Sequence, residues 1–241
     1  MPKHPTHGHD VGPSAPFAPV ATATRSSREK GAWPVPARVA CVGFAVFALA
    51  TAVAGLWDPG YDPVREGISA LAATGSPSAP IMIIGFLALA VGTAAAGVTL
   101  WGRLPAGVAG RVGATMVVLA GLAMVVVGLN QQDCSELVGA CVAAEAAGTL
   151  SDHHVVHQLV SLAVFLVLTI AMFPLARGLR RNGGPAVATR LVGVVGGLVI
   201  ATIMTVGLGA VGGLVQRLFV ALLFGAPVVL AARPHDVGAG R

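Results

Sequence analysis

Apolar residues fall in long runs along most of the chain, with short polar stretches between them. Six runs stand out, roughly 35–57, 81–101, 112–130, 154–176, 191–213 and 215–232. A helix needs roughly 20 apolar residues to cross a hydrocarbon core of about 30 Å, and each run comes close to that. The pattern therefore predicts an all-α membrane protein, a bundle of six transmembrane helices in three hairpins.

Two stretches depart from the pattern. The first 32 residues, "MPKHPTHGHDVGPSAPFAPVATATRSSREKGA", are rich in Pro, Ser, Thr, Ala and His and hold too little apolar content for a core. They read as a disordered cytoplasmic tail, and residues 234–241 as a second, shorter one, leaving 33–233 as the membrane domain. No apolar segment follows closely on the start, so the tail does not read as a cleavable signal peptide. The second departure is "DPGYDPVREGISALAATGSPSAP" after the first run. Asp62 can cap a helix with Pro63 at its first position, and Gly75 and Pro77 can end it. Val64, Ile68 and Leu71 recur at i, i+4 and i+7 as one apolar stripe. A short amphipathic helix over 62–75 is expected, lying on the outer surface or dipping between spans, with Trp57 and Tyr61 anchoring its start and Arg65 and Glu66 off the stripe.

Charge orients the bundle. Only 10% of residues are charged and 55% are apolar, with a mean hydropathy of +0.82, which leaves too little charge to coat a water-soluble domain. Of the 15 Lys and Arg residues, only Arg65 and Arg217 fall on one side if both termini and the loops 102–111 and 177–190 share the other. Positive residues favour the cytoplasm, so both termini are expected there, in a cell membrane. The basic pI of about 9.9 then reflects arginines facing anionic headgroups and gives no sign of nucleic-acid binding. Seven acids, Asp58, Asp62, Glu66, Asp133, Glu136, Glu145 and Asp152, fall on the outer side. Cys41 sits within the first run as a packing residue. Cys134 and Cys141 share the second outer loop, where an oxidising compartment favours a disulfide.

Candidate chemistry concentrates at "GTLSDHHVVHQLVS", residues 148–161. Ser151 or Asp152 can cap the fourth helix. His153 and His157 stand four apart, on one helical face, and His154 and His157 three apart. Three readings fit. The simplest is an interfacial cap, with imidazoles bonding loop groups. The second is a zinc site from His153, His157 and Asp152, whose bound water would hydrolyse a lipid-derived amide or ester. The third is a proton-handling cluster. His154, Asp133, Glu136, Arg65, Glu66 and Arg217 complete the candidate outer face, Arg217 being the single candidate for the buried ionisable residue of a translocation path and expected instead to snorkel to headgroups. Glycine and alanine fill "GTAAAG", "GATMVVLAG", "GVVGGLV" and "VGLGAVGG", as close helix packing in membranes requires; these runs lack the strand and Lys of a phosphate loop.

"YDPVREGISALAATGSPSAP", "SDHHVVH" and "GLVQRLFV" together resemble a prokaryotic membrane-protein family catalogued as domain of unknown function 998, over roughly residues 38 to 232. The resemblance implies a six-span helical bundle and no particular activity. His153-x-x-x-His157 is also similar to an element of seven-span zinc hydrolases of the alkaline ceramidase and adiponectin-receptor type, but the Ser, His and Asp those proteins add from other spans are missing here. The expectation is a multi-pass membrane protein acting as a sensor, scaffold or transport-related protein, with zinc-dependent lipid hydrolysis as the alternative. Membrane lipids are its expected partners, and a protein partner or homo-oligomer is left open.

Overall fold

The computed structural model describes residues 33–104, 107–135, 139–180, 184–205 and 209–233. Both tails and Glu136 lie outside these residues. The described residues form seven α-helices: α1 (Val35–Trp57), α2 (Ala79–Arg103), α3 (Val108–Leu129), α4 (Gly139–Ala146), α5 (Asp152–Arg180), α6 (Ala186–Thr205) and α7 (Gly212–Ala232). Two 3-10 turns, Ile68–Ala72 and Gly209–Val211, complete the order. All but α4 are long and apolar enough to cross a membrane, the last counted from Gly209. The protein is a multi-pass helical membrane bundle.

Helix ends follow local chemistry. α1 and α2 carry proline in their first turn, where its missing N–H costs nothing. α5 begins on Asp152 and ends with Arg177 and Arg180, charges that suit the helix dipole at each end. Its 29 residues extend about 44 Å at 1.5 Å per residue, longer than a hydrocarbon core of about 30 Å is thick. The fifth run, expected over 191–213, is instead Ala186–Thr205. The Pro185 carbonyl accepts both the N–H and the hydroxyl of Thr189, which starts the helix early. A glycine-rich stretch follows Thr205, with Gly209 in the left-handed region at φ 49°, so the apolar run outlasts the helix. The last helix accordingly begins at Gly212, ahead of the expected 215.

The expected helix over 62–75 is cut into two pieces. A single turn follows Asp62, which accepts the Val64 N–H at 2.9 Å and the Arg65 N–H at 3.3 Å, while Glu66 returns a carboxylate oxygen to the Asp62 N–H. Gly67 then takes an extended conformation, and the chain re-enters as the 3-10 turn Ile68–Ala72. Ile68 and Leu71 are buried while Val64 is exposed. The segment plugs the end of the bundle and does not lie on its surface.

Small residues set how closely the spans approach. α1 packs on α2, α2 on α3, α3 on α5 and α5 on α6, and α7 returns against α1 and α2. A methyl group built on Gly43 would press on the Ala88 carbonyl and come within 2.7 Å of the Gly92 Cα. One on Gly121 would meet the Ala94 backbone nitrogen, and one on Gly97 the Val118 nitrogen at 2.7 Å. Branched side chains such as Val42, Ile84, Leu122 and Leu198 face outward instead. Lipid solvates them as well as protein would, so the contact surface rests on shape. At the end that holds both described chain termini, Arg103 donates to the carbonyls of Ala231 and Arg233, capping α7.

Gly121→Ala is therefore expected to lower stability by about 1–3 kcal/mol through overpacking. Gly102→Ala, where nothing lies within 4 Å, should be neutral or mildly stabilising. Thermal unfolding in detergent compares them, and equal melting temperatures would refute close backbone contact at Gly121.

Candidate functional site

The plug at 58–78 is held by α7. Arg217 donates through Nη1 to the carbonyls of Pro63 at 2.6 Å, Glu66 at 3.1 Å and Gly213 at 2.9 Å, and through Nη2 to the Tyr61 hydroxyl. Its guanidinium also lies 5.3 Å from the Tyr61 ring centroid, within cation–π range. Tyr61 passes its own proton to the carbonyls of Glu66 and Gly67. Burial pushes the Tyr61 phenol above its ordinary pKa, with Arg217 opposing, so the hydroxyl remains a donor. Gln216 accepts the Ile68 N–H at 2.6 Å, and the N–H groups of Gly213 and Leu214 reach the carbonyls of Arg65 and Val64. Arg217, expected at the headgroups, is instead spent on backbone carbonyls, because one planar fork can satisfy several at once.

The three histidines part company. Ser151 caps α5 by accepting the His154 N–H at 3.2 Å, and Asp133 accepts both the hydroxyl and the N–H of Ser151 at 2.6 Å. Those two bonds hold the Asp133 carboxyl below the usual carboxylate range. His154 is buried and accepts the Asp133 N–H through Nδ1 at 3.1 Å. Its Nε2 therefore carries the proton, and it meets no partner among the described residues. His153 is exposed, its Nδ1 3.1 Å from Asn130 Oδ1. Asn130 Nδ2 donates to Val126, which leaves Oδ1 as acceptor and His153 as donor. His157 is buried, with Nδ1 at 2.7 Å from the Asn130 carbonyl and 3.1 Å from that of Val127. Carbonyls only accept, so Nδ1 bears the hydrogen and Nε2 is left basic. That nitrogen lies 2.9 Å from Ser69 Oγ.

The expected zinc set does not assemble in this arrangement. Asp152 and His153 sit exposed on the rim, while α5 turns His157 inward onto the end of α3 and the 3-10 turn. Among the described residues, no three His, Cys, Asp or Glu side chains gather as a ligand group. Cys134 and Cys141, the latter in the first turn of α4, are joined in a disulfide with Cα atoms 5.8 Å apart. Glu66 takes a hydrogen bond from the Ser135 hydroxyl, tying this loop to the plug.

What the structure does bring together is a cavity of about 520 Å³ beneath the plug. One end is polar, with Arg65, Glu66, Ser69, Gln132, Glu145 and His157; the other is apolar, with Leu162, Phe165, Ile200, Ile203 and Phe219. Leu159 and Met204 line it too and are exposed at the bundle perimeter, so the cavity reaches the lipid-facing surface. Its position follows from the packing, because α7 lies chiefly against α1 and α2 and leaves the corner between α5, α6 and α7 loosely filled. The size suits a small-molecule site. Arg65, Glu66 and His157 were foreseeable from the sequence. Ser69, Gln132 and Gln216 were not, since a single hydroxyl or amide gives no spacing to read.

Arg217→Ala is expected to cost about 1–3 kcal/mol in all, by removing the bonds to the Pro63 and Glu66 carbonyls and to the Tyr61 hydroxyl. Arg217→Lys keeps the charge but loses the fork and should recover only part of that. Unfolding midpoints in detergent measure both; an unchanged Arg217→Ala would disprove the clamp.

A family described as "Protein of unknown function (DUF998)" matches residues 15–233. Comparison with curated proteins and with solved structures returns no match.

Proposed function

We propose that this chain, which belongs to the DUF998 family, is a membrane receptor for a single amphiphile, taken laterally from the bilayer. The cavity carries this reading, since its charged head and apolar tail occur in one continuous space that reaches the lipid-facing surface. Arg65 offers a donor to a phosphate or carboxylate, and Glu66 and Glu145 offer acceptors to an ammonium or hydroxyl. The aromatic and branched side chains below match an acyl chain. Such a site serves a sensor or a lipid-handling step equally well.

The reading also has a direction. Arg65 and Arg217 share the plugged end with the Cys134–Cys141 disulfide, and Arg38, Arg103, Arg111, Arg177, Arg180, Arg190 and Arg233 belong to the opposite end. Positive-inside bias and an oxidised pair both favour the plugged end outside the cytoplasm. Glu145→Cys should react with a membrane-impermeant maleimide in intact cells, and labelling only after lysis would reverse the orientation.

Ile203→Trp fills the cavity from its half-buried wall. It should reduce lipid retained through detergent purification by tenfold or so, as native mass spectrometry reads it, with the melting temperature nearly unchanged. A wild-type protein that retains no lipid, or a variant that retains as much, would remove the reading.

A further inference from the structure

We infer that Ser69 is an acyl-accepting nucleophile with His157 as its base, making the cavity a site of ester cleavage or acyl transfer on the bound amphiphile. This rests on the amphiphile-binding reading for its substrate class and on separate geometry for its chemistry. His157 Nδ1 is committed to the Asn130 and Val127 carbonyls, which fixes the tautomer and aims a basic Nε2 at Ser69 Oγ, 2.9 Å away. A nucleophile within hydrogen-bond reach of a base that a third group orients is the arrangement acyl transfer needs. Here two main-chain carbonyls stand in the orienting role. Both side chains line the cavity, so the pair faces the space where an ester would lie. Gln216 lines it too, and with Oε1 accepting from Ile68 its Nε2 is the donor end available to an ester carbonyl oxygen.

In the first half-reaction Ser69 Oγ bonds to the ester carbonyl carbon as its proton passes to His157 Nε2. The intermediate then collapses with cleavage of the ester C–O bond, and the departing alkoxide takes that proton to leave as an alcohol. In the second half-reaction a water, or the hydroxyl of a second lipid, gives its proton to Nε2 and attacks the acyl carbon. Ser69 Oγ leaves and recovers the proton. Nothing is oxidised or reduced, and the net change is ester plus water, or plus alcohol, to acid or new ester plus alcohol.

The test uses the full chain in lipid nanodiscs, a long-chain alkyl fluorophosphonate and a photoactivatable phospholipid. The fluorophosphonate should add to Ser69 with loss of fluoride, read as a mass shift on the Ser69 peptide. The rate should fall about a hundredfold or more in His157→Gln, and the adduct should vanish in Ser69→Ala, while photolipid capture persists in both. Ser69→Ala keeps the melting temperature, and His157→Gln, which disturbs the bonds to the end of α3, is assayed well below its own lower midpoint. Wild-type protein that captures the photolipid yet gains no adduct on Ser69 would overturn the nucleophile and leave the receptor reading intact. An adduct on Ser69 without photolipid capture would support the nucleophile and overturn the lipid as its substrate.

Discussion

Non-helical backbone at the end of a membrane bundle must find partners for its carbonyls inside the protein, and here the first turns of α7 supply those of Pro63, Val64, Arg65 and Glu66. Lipid offers no hydrogen bonds, so irregular segments persist only where protein groups satisfy them. Residues 58–78 meet that condition through Arg217, which reaches the Pro63 and Glu66 carbonyls and stacks on Tyr61, through the Gly213 and Leu214 N–H groups, and further along through Ser76, Ser78 and Gln131. The approach requires a glycine at 213, since a methyl there would collide with the Glu66 carbonyl. Removing the fork would loosen the hold of α7 on the plug, the element that carries Ser69 to His157, and leave it to Gln216 and the Gly213 and Leu214 N–H groups.

The same device recurs around the bundle. Helices end with carbonyls that have no partner of their own, and side chains of neighbouring helices answer them. His157 of α5 answers Val127 and Asn130 at the end of α3. Arg103 of α2 answers Ala231 and Arg233 at the end of α7. Gln131 donates to Ala72, and the Thr74 N–H to Gln132, where the plug meets the end of α3. Each bond locks two elements that glycine-lined packing alone would hold by shape. This accounts for polar side chains in a chain with so few: their cost near lipid is offset by carbonyls that would otherwise be bare.

The spans were legible because hydropathy acts locally, and α1 coincides with its apolar run residue for residue. The plug was legible only in part. Asp62 caps as its position suggests, but the stripe at Val64, Ile68 and Leu71 is interrupted when Gln216, 148 positions away, captures the Ile68 N–H. The histidine cluster could be located from spacing, yet its division could not. Whether His153 or His157 turns inward depends on the rotation of α5 against α3 and the plug, and the partners that decide it lie 27 and 88 residues off. Helical spacing places two imidazoles on one face without saying which of them the next helix covers.

The cavity's composition constrains what fills it. Water alone suits Glu66, Gln132 and Gln158 but not the wall of Leu162, Phe165, Ile200 and Phe219, because apolar voids stay dry unless polar partners hold the water. Hydrocarbon alone suits that wall but would leave the polar end without partners, at a cost of roughly 1–3 kcal/mol per group. An occupant that satisfies both ends must carry polar atoms at one end and an apolar body at the other. For the lipid proposed as that occupant, selectivity would come from the head, where Arg65, Glu66 and Glu145 are spaced around the only described hydroxyl–imidazole pair that faces the cavity.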